Sequence, residues 1–199
     1  MSKNRLLIIF AKNPEKGRVK TRLAKTLGEE KALDIYRSLL DFTLRIAEGC
    51  EADKELWYSR FIPEQEEWDK KGFQIKLQQG DDLGERMKNA FRKAFKKGYQ
   101  KAVIIGSDCA GISQELIEAS YEKLEEADMV IGPSPDGGYY LLGLKECYDA
   151  LFEGISWSTG KVLKQTMDAA EELGIKTALL PERNDVDNEA DWQSEKHKF

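Results

Sequence analysis

The sequence is poor in histidine and cysteine, and this scarcity removes several kinds of active site. His197 is the only histidine among 199 residues, so a mechanism built on a histidine base or histidine metal ligands is not expected. Cys50, Cys109 and Cys147 are odd in number and far apart, which suits neither a disulfide framework nor a Cys-x-x-Cys metal site. Three reduced thiols are therefore expected, as in a cytoplasmic protein.

Long hydrophobic runs are also missing. A helix that spans a bilayer needs about 20 apolar residues, whereas the apolar run at residues 6–10 ends after five. We therefore expect neither a transmembrane segment nor a signal peptide, and a cytoplasmic location. The length of 199 residues suits one domain over residues 1–199, and the net charge of −5 argues against general nucleic-acid binding.

One segment is strongly basic against this acidic background. Residues 10–25 contain six lysine or arginine side chains and one acid, a local charge of +5. Such groups complement phosphate oxygens, which makes phosphate the first candidate ligand. The spacing fits neither the Walker loop nor the Gly-x-Gly-x-x-Gly turn, so a phosphate site here would be of another class. The alternative is a solvated turn, because residues 13–17 have good turn chemistry.

Apolar periodicity predicts strands that alternate with helices, and hence an α/β three-layer sandwich. The ligand of such a sheet is expected at the carboxyl ends of the strands. The predicted strands are residues 5–10, 55–61, 73–79, 101–105, 128–132, 139–144 and 175–180. The predicted helices are residues 28–48, 83–97, 113–126, 158–173 and 188 onward, with a further polar helical segment around residues 63–71.

Acidic residues stand at two places where they could hold a cation. Asp108 directly follows the predicted strand at residues 101–105, where a carboxylate can reach a hard cation such as Mg²⁺, although it could instead cap a turn. Asp185 and Asp187 alternate, so their carboxylates share one side if the chain is extended. They could complete a cation site with Asp108 or form a solvated acidic surface, and the pattern leaves both possibilities open.

A Pro/Gly-rich junction at residues 133–140 offers a further ligand contact. Its two glycines permit close backbone approach, and its two tyrosines could form a wall, although a plain hairpin turn fits equally well. Residues 80–87 and 156–159 are expected to open helices through capping.

Six ordered blocks of the chain resemble one bacterial family. The family comprises small GT-A-like transferases, the DUF2064 or arsenosugar-biosynthesis-type glycosyltransferases associated with radical-SAM and selenodomain proteins, within the nucleotide-diphospho-sugar transferase superfamily. Two positions depart from the family pattern, since Ala110 replaces a common proline and Asn188 a common threonine. The resemblance implies a mixed, mainly parallel sheet, with residues 139–144 as the antiparallel strand. The blocks are residues 10–23, 80–87, 106–113, 132–144, 157–163 and 185–192.

The resemblance also implies a role for individual residues. The implied nucleotide-phosphate ligands are Lys12, Arg18, Lys20 and Arg22. The implied metal-side acids are Asp108, which is also catalytic, Asp187 and its less certain neighbour Asp185. The implied contacts to the acceptor or the donor sugar are Asp136, Gly137, Gly138 and Tyr139, with Asp136 as the candidate catalytic base.

The activity implied by the resemblance is transfer from a nucleotide-activated donor with Mg²⁺ or Mn²⁺ as cofactor. Glycosyl transfer from a nucleotide sugar to a small acceptor is ranked first. The alternative is nucleotidyl transfer from an NTP to a phosphorylated or carboxylated acceptor with release of pyrophosphate, because residues 20–23 also resemble the phospholactate enzymes. A non-catalytic nucleotide-binding module is a third hypothesis.

Overall fold

The computed structural model describes residues 4–64 and 67–199, and within these residues the strands form one seven-stranded sheet. The order across the sheet is β3-β2-β1-β4-β6-β5-β7. Strand β6 runs antiparallel to both neighbours, and the other pairs are parallel. The strands are β1 (Arg5–Ala11), β2 (Asp53–Tyr58), β3 (Phe73–Leu77), β4 (Lys101–Gly106), β5 (Met129–Pro133), β6 (Tyr139–Leu144) and β7 (Thr177–Leu179).

Helices cover both faces of this sheet. None of those described is long and apolar enough to cross a membrane. The α-helices are α1 (Thr21–Leu27), α2 (Glu29–Glu48), α3 (Leu83–Lys96), α4 (Gln114–Glu126), α5 (Val162–Glu172) and α6 (Glu189–Glu195). Short 3-10 turns lie at Trp68–Lys71, Asp149–Phe152 and Lys196–Lys198.

Strand β1 shows how the sequence produces three layers. Its side chains alternate between the two faces, and all four residues from Leu6 to Ile9 are fully buried. Leu7 and Ile9 belong to one core cluster, which also contains residues of α2 and α4. Leu6 and Ile8 belong to a second cluster with residues of α3. The predicted three-layer α/β fold with a mixed, mainly parallel sheet is therefore confirmed.

Several element boundaries differ from the predictions. The basic segment is a loop only as far as Lys20, because α1 begins at Thr21 and buries Leu23 against residues of α2. The last long helix begins at Val162 and not at residue 158, so the preceding residues are left in a loop. Of the predicted helical segment at residues 63–71, only Trp68–Lys71 forms a turn, and residues 65 and 66 lie outside the described part of the chain.

The strand directions bring distant segments to one edge of the sheet. Phe10 near the end of β1 pairs with Trp57 in β2 and with Gly106 at the end of β4. Strand β6 is antiparallel to β4, so its beginning lies beside the end of β4. The basic loop, the segment after β4 and the junction before β6 therefore all emerge at the same edge, as expected for an open α/β sheet.

Candidate functional site

Pairing between two loops brings the acidic residues together. Cys109 and Asp185 form an isolated antiparallel bridge, and the Val186 N–H donates to the Asp108 carbonyl at 3.0 Å. Val186 lies between Asp185 and Asp187 and is fully buried, so it anchors both aspartates. Asp108, Asp185 and Asp187 consequently line the same cavity.

The Lys20 ammonium lies within this acidic group. Its Nζ is 2.9 Å from Asp108 Oδ2 and 3.4 Å from Asp187 Oδ1. The Lys20 side chain is only 4% exposed, whereas the Arg22 guanidinium, 3.3 Å from Asp187 Oδ2, lies in solvent. Lys20 also has left-handed backbone angles, φ 46° and ψ 47°, at the residue that precedes α1. A non-glycine residue in this conformation is strained, a condition common at functional sites.

The close charges change the pKa values of the group. Burial disfavours the Asp108 carboxylate, but the charge and hydrogen bond of Lys20 outweigh it and lower the pKa of Asp108. Burial likewise disfavours the Lys20 ammonium, but Asp108 and Asp187 outweigh it and raise the pKa of Lys20. At Asp185 the balance is reversed, because burial, reinforced by the charge of Asp108, outweighs the charge of Lys20 and raises the pKa of Asp185 to about 8.

Tyr36 of α2 connects the basic loop to the segment after β4. Its hydroxyl accepts a hydrogen bond from the Lys12 N–H at 2.8 Å and lies 3.0 Å from both the Lys12 carbonyl and Ser107 Oγ. This buried contact fixes the start of the basic loop relative to Asp108. The sequence pattern assigns Tyr36 only to the apolar face of a helix, so no sequence signal indicated this role.

Two adjoining cavities open at this edge of the sheet. The first, of about 480 Å³, contains the acidic group, and the second, of about 860 Å³, extends past the ends of β1 and β2. Both are lined by Asp108, Trp157 and Ser158. The second cavity also contains polar residues that were not among the predicted site residues, namely Asn13, Ser59, Arg60, Gln78, Asp81, Asp82, Arg86 and Ser107.

The structure gathers almost all of the predicted site residues in the smaller cavity. Gly137 instead packs behind its wall against Gly160 and accepts a hydrogen bond from the Leu163 N–H at 2.8 Å. Asp136 is exposed, and its carboxylate accepts a hydrogen bond from the Gly138 N–H at 2.9 Å. The predicted residues that line this cavity are Lys12, Arg18, Lys20, Arg22, Asp108, Asp136, Gly138, Tyr139, Asp185 and Asp187.

The segment at residues 157–160 forms a cavity wall instead of opening a helix. Trp157 packs so closely on α3 that a Cβ at Gly84 would lie 2.1 Å from its indole nitrogen. Ser158 has a left-handed φ of 62°, and Gly160 contacts Gly137. Local capping preferences predict a helix start at residues 156–159, although residues 157–163 also form one of the blocks of the family resemblance.

The acidic group has the chemistry of a divalent-cation site. Asp108 and Asp187 converge on one cationic nitrogen, and Asp185 Oδ1 is buried without a hydrogen-bond partner among the described residues. Across residues 4–64 and 67–199 there is no ready-made group of three or more His, Cys, Asp or Glu ligands. Mg²⁺ or Mn²⁺ would therefore be held here by one or two carboxylates, and a bound phosphate compound would have to supply further oxygen ligands, as is usual for Mg²⁺.

The N-terminus of α6 positions Asp187, which gives a first prediction. The Asp191 carboxylate accepts hydrogen bonds from the N–H groups of Asp187 and Asn188, and Asn188 caps the helix in return. Asn188→Ala is expected to lower the free energy of unfolding by about 1 kcal/mol, measured by urea denaturation. Ser113→Ala at the N-cap of α4 is the matched control. Only Asn188→Ala should also weaken Mn²⁺ binding, and equal Mn²⁺ affinities would contradict this.

The cysteines give a second prediction. Burial, followed by the charge of Asp185, raises the pKa of Cys109 to about 12, and burial is also the main cause that raises the pKa of Cys50 and Cys147 to about 12. Thiolate is the reactive form. All three thiols should therefore react slowly with Ellman's reagent at pH 8 and rapidly in denaturant. One fast thiol in the folded protein would contradict this expectation.

Comparison with known proteins identifies relatives of this chain. Residues 43–159 match the model of a protein family described as "Uncharacterized protein conserved in bacteria (DUF2064)". A solved structure from Desulfovibrio desulfuricans G20, named "putative nucleotide-diphospho-sugar transferase", is 36% identical with a TM-score of 0.87. The alignment covers 94% of this chain and 84% of that one. No curated protein matches the sequence.

Two more distant structures share the fold. One is CMP:2-keto-3-deoxy-manno-octonic acid synthetase in complex with CTP, with 11% identity, a TM-score of 0.59 and coverage of 98% of this chain and 97% of that one. The other is Rv0371c from Mycobacterium tuberculosis H37Rv in complex with manganese, with 12% identity, a TM-score of 0.58 and coverage of 98% of both chains. At these identities the similarity establishes the fold alone.

Proposed function

This chain belongs to the DUF2064 family, and we propose that it is a transferase that uses a nucleotide-activated donor and a divalent cation. Within that class we propose glycosyl transfer from a nucleotide sugar to a small acceptor, carried out by residues 1–199 as one GT-A-like domain. The name of the Desulfovibrio relative supports the class of donor. The manganese complex of Rv0371c supports the cation.

One observation carries this proposal, the meeting of acids and cations in a single cavity at the carboxyl ends of parallel strands. Four aspartates and four basic residues, which the sequence places in separate segments, line the same space of about 480 Å³. A diphosphate uses both kinds of group. Its negative oxygens bind guanidinium and ammonium groups directly, and a divalent cation between them links its other oxygens to the carboxylates. The adjoining cavity of about 860 Å³ leaves room for the nucleoside.

Each residue has a defined task in this proposal. Asp108 and Asp187 hold the cation, with Asp185 beside them, and the cation would supply charge neutralisation of the diphosphate. Lys12, Arg18 and Arg22 contact the phosphates and stabilise the charge that develops on the leaving group. Asp136, Gly138 and Tyr139, which line the same cavity, face the acceptor or the donor sugar.

The proposed reaction is a substitution at the sugar. An acceptor oxygen forms a bond to the anomeric carbon, while the bond from that carbon to the diphosphate oxygen breaks and the nucleoside diphosphate leaves with the electron pair. The acceptor proton passes to the Asp136 carboxylate, which is exposed in the cavity and therefore able to receive it.

Nucleotidyl transfer is the second candidate, favoured by the likeness of the fold to a synthetase solved with CTP. In this reaction an acceptor oxygen would attack the α-phosphorus of an NTP and release pyrophosphate. The same acids and cations serve either reaction, so the two differ in the donor, in the atom that the acceptor attacks and in the group that leaves.

The test is a binding and product assay on the purified protein. A panel of UDP-, GDP-, CDP- and ADP-sugars and of NTPs is titrated by isothermal calorimetry with and without Mn²⁺, and donor cleavage is followed by mass spectrometry. Metal-dependent binding of one nucleotide sugar with release of the nucleoside diphosphate is expected. Release of pyrophosphate from an NTP would select the second candidate, and no binding of any nucleotide would disprove both.

A further inference from the structure

The position of the Lys20 ammonium has a consequence for cation binding. It is the shared partner of Asp108 and Asp187, at 2.9 and 3.4 Å, and its side chain is almost completely buried there. A cation held by both carboxylates would have to enter the same small space. Two positive charges a few ångströms apart in a partly buried site repel strongly, so the ammonium and the cation exclude each other.

The local chain determines which part of Lys20 can move. Its carbonyl accepts the hydrogen bond of the Ala24 N–H at 2.9 Å, which ties its backbone to the first turn of α1. The ammonium, by contrast, stands at the end of a flexible four-carbon chain. Lys12 and Arg18 line the same cavity, so an ammonium that leaves the acids remains among the groups proposed to contact phosphate.

We propose that Lys20 is a built-in counterion of the acidic group that the divalent cation must displace, and that it then moves towards the phosphates of the donor. This inference rests on the proposed function and deepens it. Lys20 holds the two carboxylates together before the cation arrives and keeps the cation affinity of the nucleotide-free protein low. When the donor binds, its phosphates attract the Lys20 ammonium away from Asp108 and Asp187, which frees these carboxylates for the cation. Donor and cation therefore bind cooperatively.

The first test uses Mn²⁺ alone and measures free Mn²⁺ by electron paramagnetic resonance. Lys20→Met and Lys20→Gln are expected to bind Mn²⁺ at least about tenfold more tightly than the wild type, because the competing charge is gone. Lys16→Met removes the same charge from the same basic loop, where Lys16 pairs with Glu30 and lines neither cavity, and it should change the affinity much less. Unchanged or weaker Mn²⁺ binding in folded Lys20 variants would overturn the proposal.

A second test needs no variant and therefore does not depend on folding of the substituted chains. Reductive methylation followed by mass spectrometry reports how accessible each lysine is. Lys20 should resist methylation in the metal-free wild type and react several-fold faster with Mn²⁺, while Lys97, which pairs with Glu55, serves as the internal reference. If Lys20 is methylated equally slowly with and without saturating Mn²⁺, the cation does not displace its ammonium and the proposal is wrong.

These tests are separate from the test of the proposed function, because they contain no nucleotide. Tighter Mn²⁺ binding in the Lys20 variants together with no binding of any nucleotide would support the role of Lys20 and disprove the proposed function. If the protein cleaves a nucleotide sugar but its Lys20 variants bind Mn²⁺ no better than the wild type, the proposed function is supported and the role of Lys20 is disproved.

Discussion

Replacement of Asp108 by asparagine is expected to weaken Mn²⁺-dependent nucleotide binding by about 100-fold or more. The loss of a residue that only orients a metal ligand costs about 10–100-fold, so the loss of a proposed ligand should cost at least as much. Asparagine keeps the shape of the side chain and an oxygen acceptor for Lys20, which limits the effect on folding. Isothermal calorimetry with the nucleotide that the wild type prefers measures the effect.

The control for this variant is Asp168→Asn. Asp168 forms an exposed ion pair with Lys164 on α5, and its replacement removes the same charge from the protein surface. Exposed pairs of this kind contribute little to stability, so this variant should bind and fold as the wild type does. If Asp108→Asn retained wild-type affinity in the presence of Mn²⁺, Asp108 would not be a cation ligand.

Replacement of Gly137 by alanine is expected to lower the free energy of unfolding by about 2–5 kcal/mol. Its backbone has φ of +83°, and an added Cβ would lie 2.2 Å from the Gly160 carbonyl oxygen and 2.7 Å from the carbonyl carbon. Because these are backbone atoms, the whole wall at residues 157–160 would have to move. Urea denaturation measures the loss, and nucleotide binding should weaken with it because Trp157, Ser158 and Gly160 line the cavity.

Gly154→Ala is the control that separates the cost of the left-handed backbone from the cost of the steric clash. Gly154 also has a positive φ, +70°, but a Cβ there would meet no heavy atom of the described residues within 4 Å. Gly154→Ala should therefore lower the free energy of unfolding by only about 1 kcal/mol, which is the cost of the left-handed backbone. Equal losses in the two variants would show that the close approach of Gly160 adds no steric penalty at residue 137.

The elements of the fold could be predicted because their signals are local. A short continuous apolar run such as the one in β1 is typical of a strand covered on both faces, and the position of Asp108 follows from the strand before it. The sequence could not show where the Lys20 side chain points. A lysine in a basic loop suggests a phosphate ligand, yet one of its partners, Asp187, lies 167 positions further along the chain.

The cavity wall escaped prediction for a similar reason. Ser156 to Thr159 have the composition of a helix start, and local capping preferences favour that interpretation. The packing of Gly160 on Gly137 and of Trp157 on Gly84 overrides those preferences. Such contacts depend on the approach of separate elements, so they become visible only once the sheet and helices are assembled.

Because β6 runs antiparallel to β4, the cavity is lined by two separate segments of the chain, the one that follows β4 and the one that precedes β6. The aspartate after β4 stands on one side, and the residues that lead into β6 stand on the other, with Ile105 and Leu141 paired in the sheet between them. In the proposed function, substitutions in residues 134–136 would therefore reshape the acceptor side while β1, β4 and the acidic group stay unchanged. If members of the family share the proposed function, they would in this way diverge in acceptor choice during evolution and keep one inherited way of holding the donor.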